Sequence, residues 1–409
     1  MFFFSKKNTH HLPDSIAQLK DFSYRRSDEF YFDSACQTMR PWQVVEAQQE
    51  YYRDFNACGG RVKYRWGQRV DERVAQAREG LLDLVGKSSK EYAIVFTLNT
   101  TYAVNLLLQQ LPSRNFERLI TSEIEHNSVF LPSMIWARRH GLERLVLPRD
   151  EAGNLLYDSE NFRKAVVLVN SVSNIDGRKL LNAQKLANDL HESGGLLLLD
   201  GAQHFGHHVG ELRHVDFDAI FGSAHKMYGP SLGFMIVKKK LLSQFEYFLL
   251  GGGTVTDVQR DSYELIQDPE ELHASLELGL QNWAGIIGLE AAMRWLKEFR
   301  PDDSKPVEYE QKLSHLLWQK LQKIEGLEFL NREASPVVSF YKPGLDSHRL
   351  ALYLSEQNIM CRSGYFCCHY FLKNLKKYPP LLRISLGLNV RPEDIEEFAA
   401  ILVKILKNV

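Results

Sequence analysis

The sequence predicts an α/β protein with a large, mostly parallel sheet covered by helices on both faces, followed by a smaller α+β domain. Between about residues 90 and 240, short apolar runs alternate with amphipathic stretches, which is the pattern of successive βαβ units. Most of these runs are apolar throughout, which is typical of strands buried on both faces of a sheet. The length of 409 residues allows two or three domains of ordinary size.

Seven strands are predicted in this first part of the chain. They cover Tyr92–Thr97, Arg118–Thr121, Leu145–Leu147, Ala165–Val169, Leu196–Leu199, Ala219–Phe221 and Phe234–Val237. The helices between them include Thr101–Leu111 and Ala183–His191, the second of which ends before Gly194 and Gly195.

A change of pattern after Gly251-Gly252-Gly253 predicts the smaller domain. A long helix over Ala284–Phe299 is followed by Pro301, where we place a domain boundary. Beyond it we expect a helix at Glu308–Ile324, strands at Val337–Tyr341 and Leu382–Leu386, and a terminal helix that begins at Pro392. The predicted division is an N-terminal segment at 1–29 that packs with the small domain, a large domain at 30–299 and a small domain at 300–409.

Composition excludes several classes of protein. Lys and Arg number 50 and Asp and Glu 51, so the net charge of −1 argues against a polybasic nucleic-acid binder. No apolar run approaches the ~20 residues of a membrane helix, and Lys6 and Lys7 follow the N-terminal apolar residues, the reverse of a signal peptide. Five cysteines, an odd number, argue against a secreted disulfide framework. We expect a cytoplasmic protein without nucleic-acid or membrane partners.

Polar residues follow several of the predicted strands, at the edge where open parallel sheets bind ligands. Asn99, Thr100 and Thr101 open a helix, so their hydroxyl and backbone N–H groups suit a phosphate, although ordinary N-capping is the alternative. The segments that end in His126-Asn127 and in Ser173-Asn174 follow two further strands and are undecided by themselves.

Two charged residues are more informative. Asp200 ends a fully apolar strand, where a buried carboxylate needs a partner. Lys226 follows the next strand, and a lysine in a sheet crevice can have a lowered pKa and form a Schiff base. An aspartate paired with a pyridinium nitrogen, a lysine and a phosphate site together are what pyridoxal 5'-phosphate requires.

These residues lie in motifs that resemble a known family. Asp200-Gly201-Ala202-Gln203 and Ser223-Ala224-His225-Lys226 are similar to those of class V aminotransferase-like enzymes. The most similar group is that of the cysteine desulfurases and selenocysteine lyases, which includes the desulfurase domain of molybdenum cofactor sulfurases. The resemblance runs from Tyr31-Phe32-Asp33-Ser34-Ala35 to the C-terminal helix.

The resemblance implies a fold-type I, pyridoxal-phosphate-dependent homodimer and assigns roles to individual residues. Lys226 carries the cofactor and moves the substrate's Cα proton, Asp200 pairs with the ring nitrogen, and His126 stacks on the ring with a catalytic role. The other residues expected to bind the cofactor are Thr100, Thr101, Gln203, Ser223, His225 and, reaching the partner's site, Gly279. The positions that match those engaging the amino-acid substrate are Asn174, Arg362 and Arg383. No metal is expected.

Three of the five cysteines lie close together, at Cys361, Cys367 and Cys368. Arg362-Ser363-Gly364-Tyr365-Phe366-Cys367 stands where desulfurases carry Arg-x-Gly-x-x-Cys, which makes Cys367 the expected persulfide-forming cysteine. A zinc site is one alternative, but adjacent cysteines do not match structural zinc spacings. The other alternative is that the three cysteines are merely small buried residues, since cysteine is common in protein cores.

The expected function is therefore a cysteine desulfurase that converts L-cysteine to L-alanine and passes sulfur to Cys367, and then to an acceptor that can be a protein. A selenocysteine lyase, another C–S lyase, an epimerase or an aminotransferase on the same cofactor is the first alternative, because the fold alone does not exclude it. A non-catalytic or metal-binding relative is the second.

Overall fold

The computed structural model describes residues 20–60, 62–207, 209–266, 268, 270–299 and 305–408. Within these ranges no helix combines the length and the apolar character needed to cross a membrane. The predicted domain boundary around Pro301 and most of the predicted N-terminal segment lie outside the described residues.

Fifteen strands are present in the described residues. In chain order they are β1 Phe30–Tyr31, β2 Tyr92–Thr97, β3 Arg118–Ser122, β4 Glu143–Leu147, β5 Ala165–Asn170, β6 Leu196–Asp200, β7 Ala219–Ser223, β8 Gly233–Lys238, β9 Val255–Val258, β10 Tyr263–Leu265, β11 Glu328–Phe329, β12 Val337–Tyr341, β13 Ile359–Met360, β14 Arg362–Gly364 and β15 Leu381–Ser385. All seven strands predicted for the large domain form, with ends that differ by two residues at most.

These seven strands make one sheet in the order β2-β8-β7-β6-β5-β3-β4. The central strands β3 to β7 pair in parallel, whereas β8 runs antiparallel to both of its neighbours, β7 and β2. The connection from β7 to β8 holds only a short helical turn at Ala224–Lys226 and the turn around Gly229 and Pro230, without a crossover helix, as antiparallel neighbours allow. The mostly parallel α/β fold is confirmed.

The prediction that most of these strands are buried on both faces is confirmed, with one exception. Burial on both faces holds for β2 and β5, whose residues are all buried, but β4 is exposed at Glu143 and only half-buried after it. β4 lies at one end of the sheet, where only β3 pairs with it. β2 lies at the other end, but the segment Leu272–Leu276 packs against it and Glu277 accepts a hydrogen bond from the backbone N–H of Phe96. An edge strand has one neighbour, and a polar residue there keeps other strands away.

The longer helices cover the two faces of the large sheet or join the smaller one. In chain order they are α1 Trp42–Asp54, α2 Arg65–Val85, α3 Thr100–Gln110, α4 Asn127–His140, α5 Ala183–Glu192, α6 Trp283–Phe299, α7 Lys305–Gln322, α8 Ser347–Ser355 and α9 Pro392–Leu406. Along β5, Val167 and Val169 pack into one core while Val166 and Leu168 pack into another. The sheet is thus buried from both sides, as helices on both faces require.

A second sheet, in the order β11-β12-β15-β14, belongs to the C-terminal part of the chain. The predicted strands at Val337–Tyr341 and Leu382–Leu386 correspond to its β12 and β15. The N-terminal segment contacts both parts: Phe22 packs against Tyr228 and Trp295, whereas Arg25 forms a salt bridge with Asp394 of α9. The three-part division of the chain stays a prediction.

Candidate active site

A cavity of about 230 Å³ lies at the edge of the large sheet where the parallel strands end. Asn170, Asp200 and Ser223 are the last residues of β5, β6 and β7, and all three line it. The predicted site residues that join them there are Thr100, Thr101, His126, Asn174, Gln203, His225, Lys226, Arg362, Cys367 and Arg383. A larger cavity of about 880 Å³, around Arg178 and Ser335, contains no predicted site residue.

Lys226 projects into this cavity from the short turn that follows β7. No described residue forms a hydrogen bond or ion pair with its amine. Burial is the main cause that lowers the pKa of Lys226, and the carboxylate of Asp200 opposes the shift. An amine with a lowered pKa is more often neutral, and a neutral amine can attack a carbonyl carbon.

Asp200 is 5% exposed at the end of β6. Its Oδ1 accepts a hydrogen bond from the backbone N–H of Ala202 at 2.9 Å, which fixes the direction of the carboxyl group. Burial raises the pKa of Asp200, whereas the Ala202 hydrogen bond and the charge of Lys226 lower it. A buried carboxylate in this position is stabilised by a cationic partner in the cavity, such as a protonated ring nitrogen.

The other end of the cavity is rich in hydroxyl groups. The hydroxyls of Thr100 and Ser223 lie 2.6 Å apart, as do those of Thr101 and Ser128. Asn99 caps α3 by accepting a hydrogen bond from the backbone of Tyr102, so the cap is this asparagine and not one of the threonines. The hydroxyls and the first N–H groups of α3 therefore suit a phosphate, which the positive end of a helix also attracts.

His126 lies on the wall of the cavity and caps α4 with its ring. Nδ1 accepts a hydrogen bond from the backbone N–H of Ser128 at 3.1 Å, so in the neutral ring the proton sits on Nε2. Burial, followed by the charges of Lys226 and Arg383, lowers the pKa of His126 to about 3. The ring is therefore uncharged near neutral pH, as stacking on an aromatic cofactor requires. Its capping role was missed from the sequence.

Histidines that are buried and neutral make the protein sensitive to acid. Burial lowers the pKa of His273, which does not line the cavity, to about 4. A folded pKa below the unfolded value of ~6.5 gives stability that is present above pH 6.5 and lost as pH falls towards 4. At about pH 5 we expect this histidine to lower the free energy of unfolding by about 1–2 kcal/mol, allowing for its partial exposure.

The expected result is that His273→Gln weakens the fall in the urea-unfolding midpoint between about pH 7.5 and pH 5. The variant must be compared with wild type, because Glu125 also titrates in this pH range. Burial raises the pKa of Glu125 to about 7, so its protonation stabilises both proteins as pH falls, opposite to the effect of His273. If the unfolding midpoint falls equally with pH in the two proteins, His273 is protonated at pH 5 in the folded state just as it is in the unfolded state.

The end of the cavity where substrate-binding residues were predicted holds two arginines that share one carboxylate. Arg383 is 2% exposed and donates from Nη2 to Asp33 Oδ1 at 3.1 Å and from Nη1 to the carbonyl of Asn174 at 2.9 Å. Arg362 donates to Asp33 Oδ2 at 3.0 Å from Nε. Two positive charges against one negative leave a net charge of +1, which suits an anionic substrate group such as a carboxylate.

Asp33, which pairs with both arginines, was not predicted as a site residue. A signal was available, because Asp33 follows the apolar residues Phe30-Tyr31-Phe32 much as Asp200 follows the apolar run Leu196–Leu199. Cys36, three residues later, also lines the cavity and was likewise missed.

Cys367 stands exposed at the mouth of the cavity, on a loop that other elements hold in place. Its carbonyl accepts a hydrogen bond from the backbone N–H of Asn127 at 2.6 Å, and the carbonyl of Phe366 accepts one from Asn174 Nδ2 at 2.8 Å. Phe366 and Cys367 have φ values of 45° and 58°, in the left-handed region that non-glycine residues rarely adopt. Such strain persists where surrounding contacts impose it, and it clusters at functional sites.

Of the two remaining predicted cofactor residues, Gln203 lines the cavity and Gly279 does not. Gln203 donates from Nε2 to the carbonyl of Ala35 at 2.7 Å, which leaves one amide hydrogen for the cavity. Gly279 does not line the cavity; its N–H bonds to the carbonyl of Gly252 at 2.8 Å, and its predicted role lies in a partner's site. In the part of the chain that the structure describes, no three side chains of His, Cys, Asp or Glu are grouped as a metal site.

The residues of this cavity fit pyridoxal phosphate on chemical grounds. The unpartnered amine suits its aldehyde, and the buried carboxylate suits its ring nitrogen. The neutral imidazole suits the face of its ring, and the hydroxyl-lined helix start suits its phosphate.

Comparisons with known proteins agree with this geometry. The family model described as aminotransferase class-V matches residues 30–398. A probable cysteine desulfurase of Pyrococcus abyssi is 31% identical over 390 residues, which is 93% of this chain and 94% of that protein. A second one, of Haemophilus influenzae, is also 31% identical, over 94% of this chain and 87% of that protein.

Solved structures give the same result. The apo structure of a cysteine desulfurase from Thermococcus onnurineus superposes with a TM-score of 0.83 at 29% identity, over 93% of this chain and 96% of that one. The cysteine desulfurase CsdA from Escherichia coli, in an S-sulfonic acid form, gives 0.83 at 25% identity, over 97% and 99%.

Proposed function

This chain belongs to the aminotransferase class V family, in its cysteine desulfurase group, and we propose that it converts L-cysteine to L-alanine with pyridoxal 5'-phosphate and keeps the sulfur on Cys367. The observation that carries the proposal is the meeting of Lys226, Asp200 and Cys367 at one cavity of about 230 Å³. These three side chains come from distant parts of the sequence, and each supplies a different part of the chemistry.

The cofactor, when bound, supplies an electron sink for the bonds at the substrate's Cα. The chain's part would be to hold it: the Lys226 amine would bind its aldehyde carbon, and Asp200 would accept a hydrogen bond from its ring nitrogen. Thr100, Thr101, Ser223 and His225, together with the N-terminus of α3, would hold its phosphate. Burial and nearby charges lower the pKa of His225 to about 4, so it acts there as a neutral hydrogen-bonding group.

The substrate is held by its carboxylate and by its amine. Arg383, oriented by Asp33, donates hydrogen bonds to the carboxylate, and Asn174 adds a neutral donor beside it. Arg362 stands at the more exposed side of the same carboxylate of Asp33 and contributes the second positive charge. Lys226 would accept the Cα proton of the substrate, because its lowered pKa keeps the amine unprotonated.

Cys367 then acts on the substrate's sulfur. Its thiolate attacks the substrate Sγ, an S–S bond forms, and the bond between the substrate's Cβ and Sγ breaks. The electron pair of the broken bond stays with the carbon, which takes up a proton on the way to alanine. The sulfur remains as a persulfide on Cys367, a form that a second thiol can collect.

The exposed position of Cys367 supports transfer to an acceptor outside the cavity, which we propose to be a thiol of a protein or small molecule in the cytoplasm. We also propose a homodimer. Phe248 and Leu280 are 71% and 78% exposed, and the segments that carry them are joined by the bond from Gly279 to Gly252. Apolar side chains presented this way support burial against a second copy, with Gly279 near that copy's cofactor.

Turnover of a panel of amino acids tests the proposed function. We expect L-cysteine to yield alanine and sulfide in equal amounts in the presence of a thiol, and alanine itself to be stable. Selenocysteine turnover alone would instead indicate a selenocysteine lyase, and racemised alanine or a keto acid product would indicate an epimerase or an aminotransferase.

A further inference from the structure

We propose that Cys368 is a positioning residue for the desulfuration: its thiol fixes the side-chain amide of Asn174, which ties the Cys367 loop to the substrate end of the cavity. The inference rests on the proposed function, because Asn174 and Cys367 receive their roles there. It gives the cysteine beside the nucleophile a role other than sulfur transfer.

The contacts run in a short chain of hydrogen bonds. Cys368 is completely buried, and its Sγ lies 3.1 Å from Oδ1 of Asn174 and 3.8 Å from the carbonyl oxygen of Ile124. The other end of the same amide, Nδ2, donates to the carbonyl of Phe366 at 2.8 Å. Both ends of the Asn174 side chain are therefore bound to the three-residue segment that carries Cys367.

The direction of these hydrogen bonds follows from the chemistry of the groups. Burial raises the pKa of Cys368 well above its usual value, and the charges of Glu125 and Asp176 add to the effect, so the thiol keeps its proton. A protonated thiol donates to Oδ1, and Nδ2 donates to a carbonyl oxygen. Rotating the amide by half a turn would set its N–H against the S–H of Cys368 and its oxygen against the carbonyl oxygen of Phe366, so the thiol and this carbonyl together select one of the two orientations.

This orientation matters for both partners of the reaction. Nδ2 has a second hydrogen, and Asn174 lines the cavity, so that hydrogen is available to the substrate. The first hydrogen holds Phe366, whose left-handed backbone places Cys367 at the mouth. Without the thiol only the Phe366 carbonyl orients the amide, so the amide is held less firmly and both the substrate contact and the loop anchor weaken together.

A role in packing alone is the competing explanation. Cys368 belongs to a small apolar cluster with Ile124, Ile175, Leu372 and Leu381. If packing is all that matters, valine, which is apolar and of similar size, should replace cysteine better than serine does. If the hydrogen bond matters, serine should replace it better, because its hydroxyl can donate to Asn174.

The experiment compares Cys368→Ser with Cys368→Val, with Cys361→Ala as a control that removes a neighbouring thiol outside the cavity. We expect the valine variant to lose about tenfold in kcat/KM for L-cysteine, mostly through KM, and the serine variant to stay within about threefold of wild type. The control should match wild type. Thermal unfolding of each protein shows that the compared variants are folded, and Cys368→Ala serves as the variant without a donor if valine prevents folding.

A second measurement does not depend on turnover. The rate at which iodoacetamide alkylates Cys367, followed by peptide mass, should change severalfold in the valine or alanine variant and stay near wild type in the serine variant. Equal effects of serine and valine, or a serine variant worse than valine, would overturn the role of the hydrogen bond. Failure of wild type to produce alanine from L-cysteine would instead overturn the proposed function.

Discussion

Lys226→Ala is expected to abolish turnover of L-cysteine and to remove the visible absorbance of covalently held pyridoxal phosphate. Lys226 is the amine in the cavity without a hydrogen-bond partner among the described residues, and it is the group placed to accept the Cα proton. Loss of a positioned acid–base group costs about 10²–10⁴-fold, and loss of the covalent attachment adds to this. We therefore expect a fall in kcat of at least about 10³-fold.

A matched control is Lys240→Ala, which removes an exposed lysine from a short helix after β8. It should keep both the absorbance and the turnover. Reconstitution of Lys226→Ala with pyridoxal phosphate separates two causes of inactivity, since a variant that binds the cofactor without reacting has lost chemistry rather than fold. Substantial sulfide release by this variant would refute the role given to the lysine.

Cys367→Ala is expected to remove sulfide release while leaving the cofactor's absorbance unchanged. The side chain stands at the exposed mouth of the cavity, so its loss leaves Asp200, Lys226 and the phosphate end intact. Without the nucleophile the Cβ–Sγ bond has no acceptor for its sulfur, and we expect a reduction of about 10³-fold or more. Cys368 cannot take over, because burial raises its pKa and its thiol is held by Asn174.

Cys58→Ala is a suitable control for this variant, because Cys58 is an exposed thiol that does not line the cavity. It should behave as wild type. Retention of near-normal sulfide release in Cys367→Ala would show that another group, such as Cys36 on the cavity wall, receives the sulfur.

The parts of the site that follow strands were predictable from the sequence. Asp200 comes directly after the apolar run Leu196–Leu199, and Lys226 lies five residues beyond the end of the next apolar run at Phe221. Parallel strands end at one edge of a sheet, so the local pattern placed the two residues together. The same logic placed Asn99 to Thr101 at a helix start, although it did not identify Asn99 as the cap.

The parts that depend on distant pairing were not predictable in this way. Asp33 and Arg383 are separated by 350 positions, and only the completed fold brings them to 3.1 Å. The contact from Cys368 to Asn174 likewise joins the segment between β14 and β15 to the loop after β5, 194 positions away. The periodicity of apolar residues carries no information about such contacts. It also did not show that β4 is an edge strand or that β8 is antiparallel.

The central claim is that sulfur moves from L-cysteine to Cys367. Its most direct test is the mass of the peptide that contains Cys367, measured after one equivalent of L-cysteine is added to the pyridoxal-phosphate-loaded protein without a reducing thiol. We predict the addition of one sulfur atom to Cys367 together with one equivalent of alanine. Alanine without sulfur on this peptide, or no alanine at all, would contradict the claim.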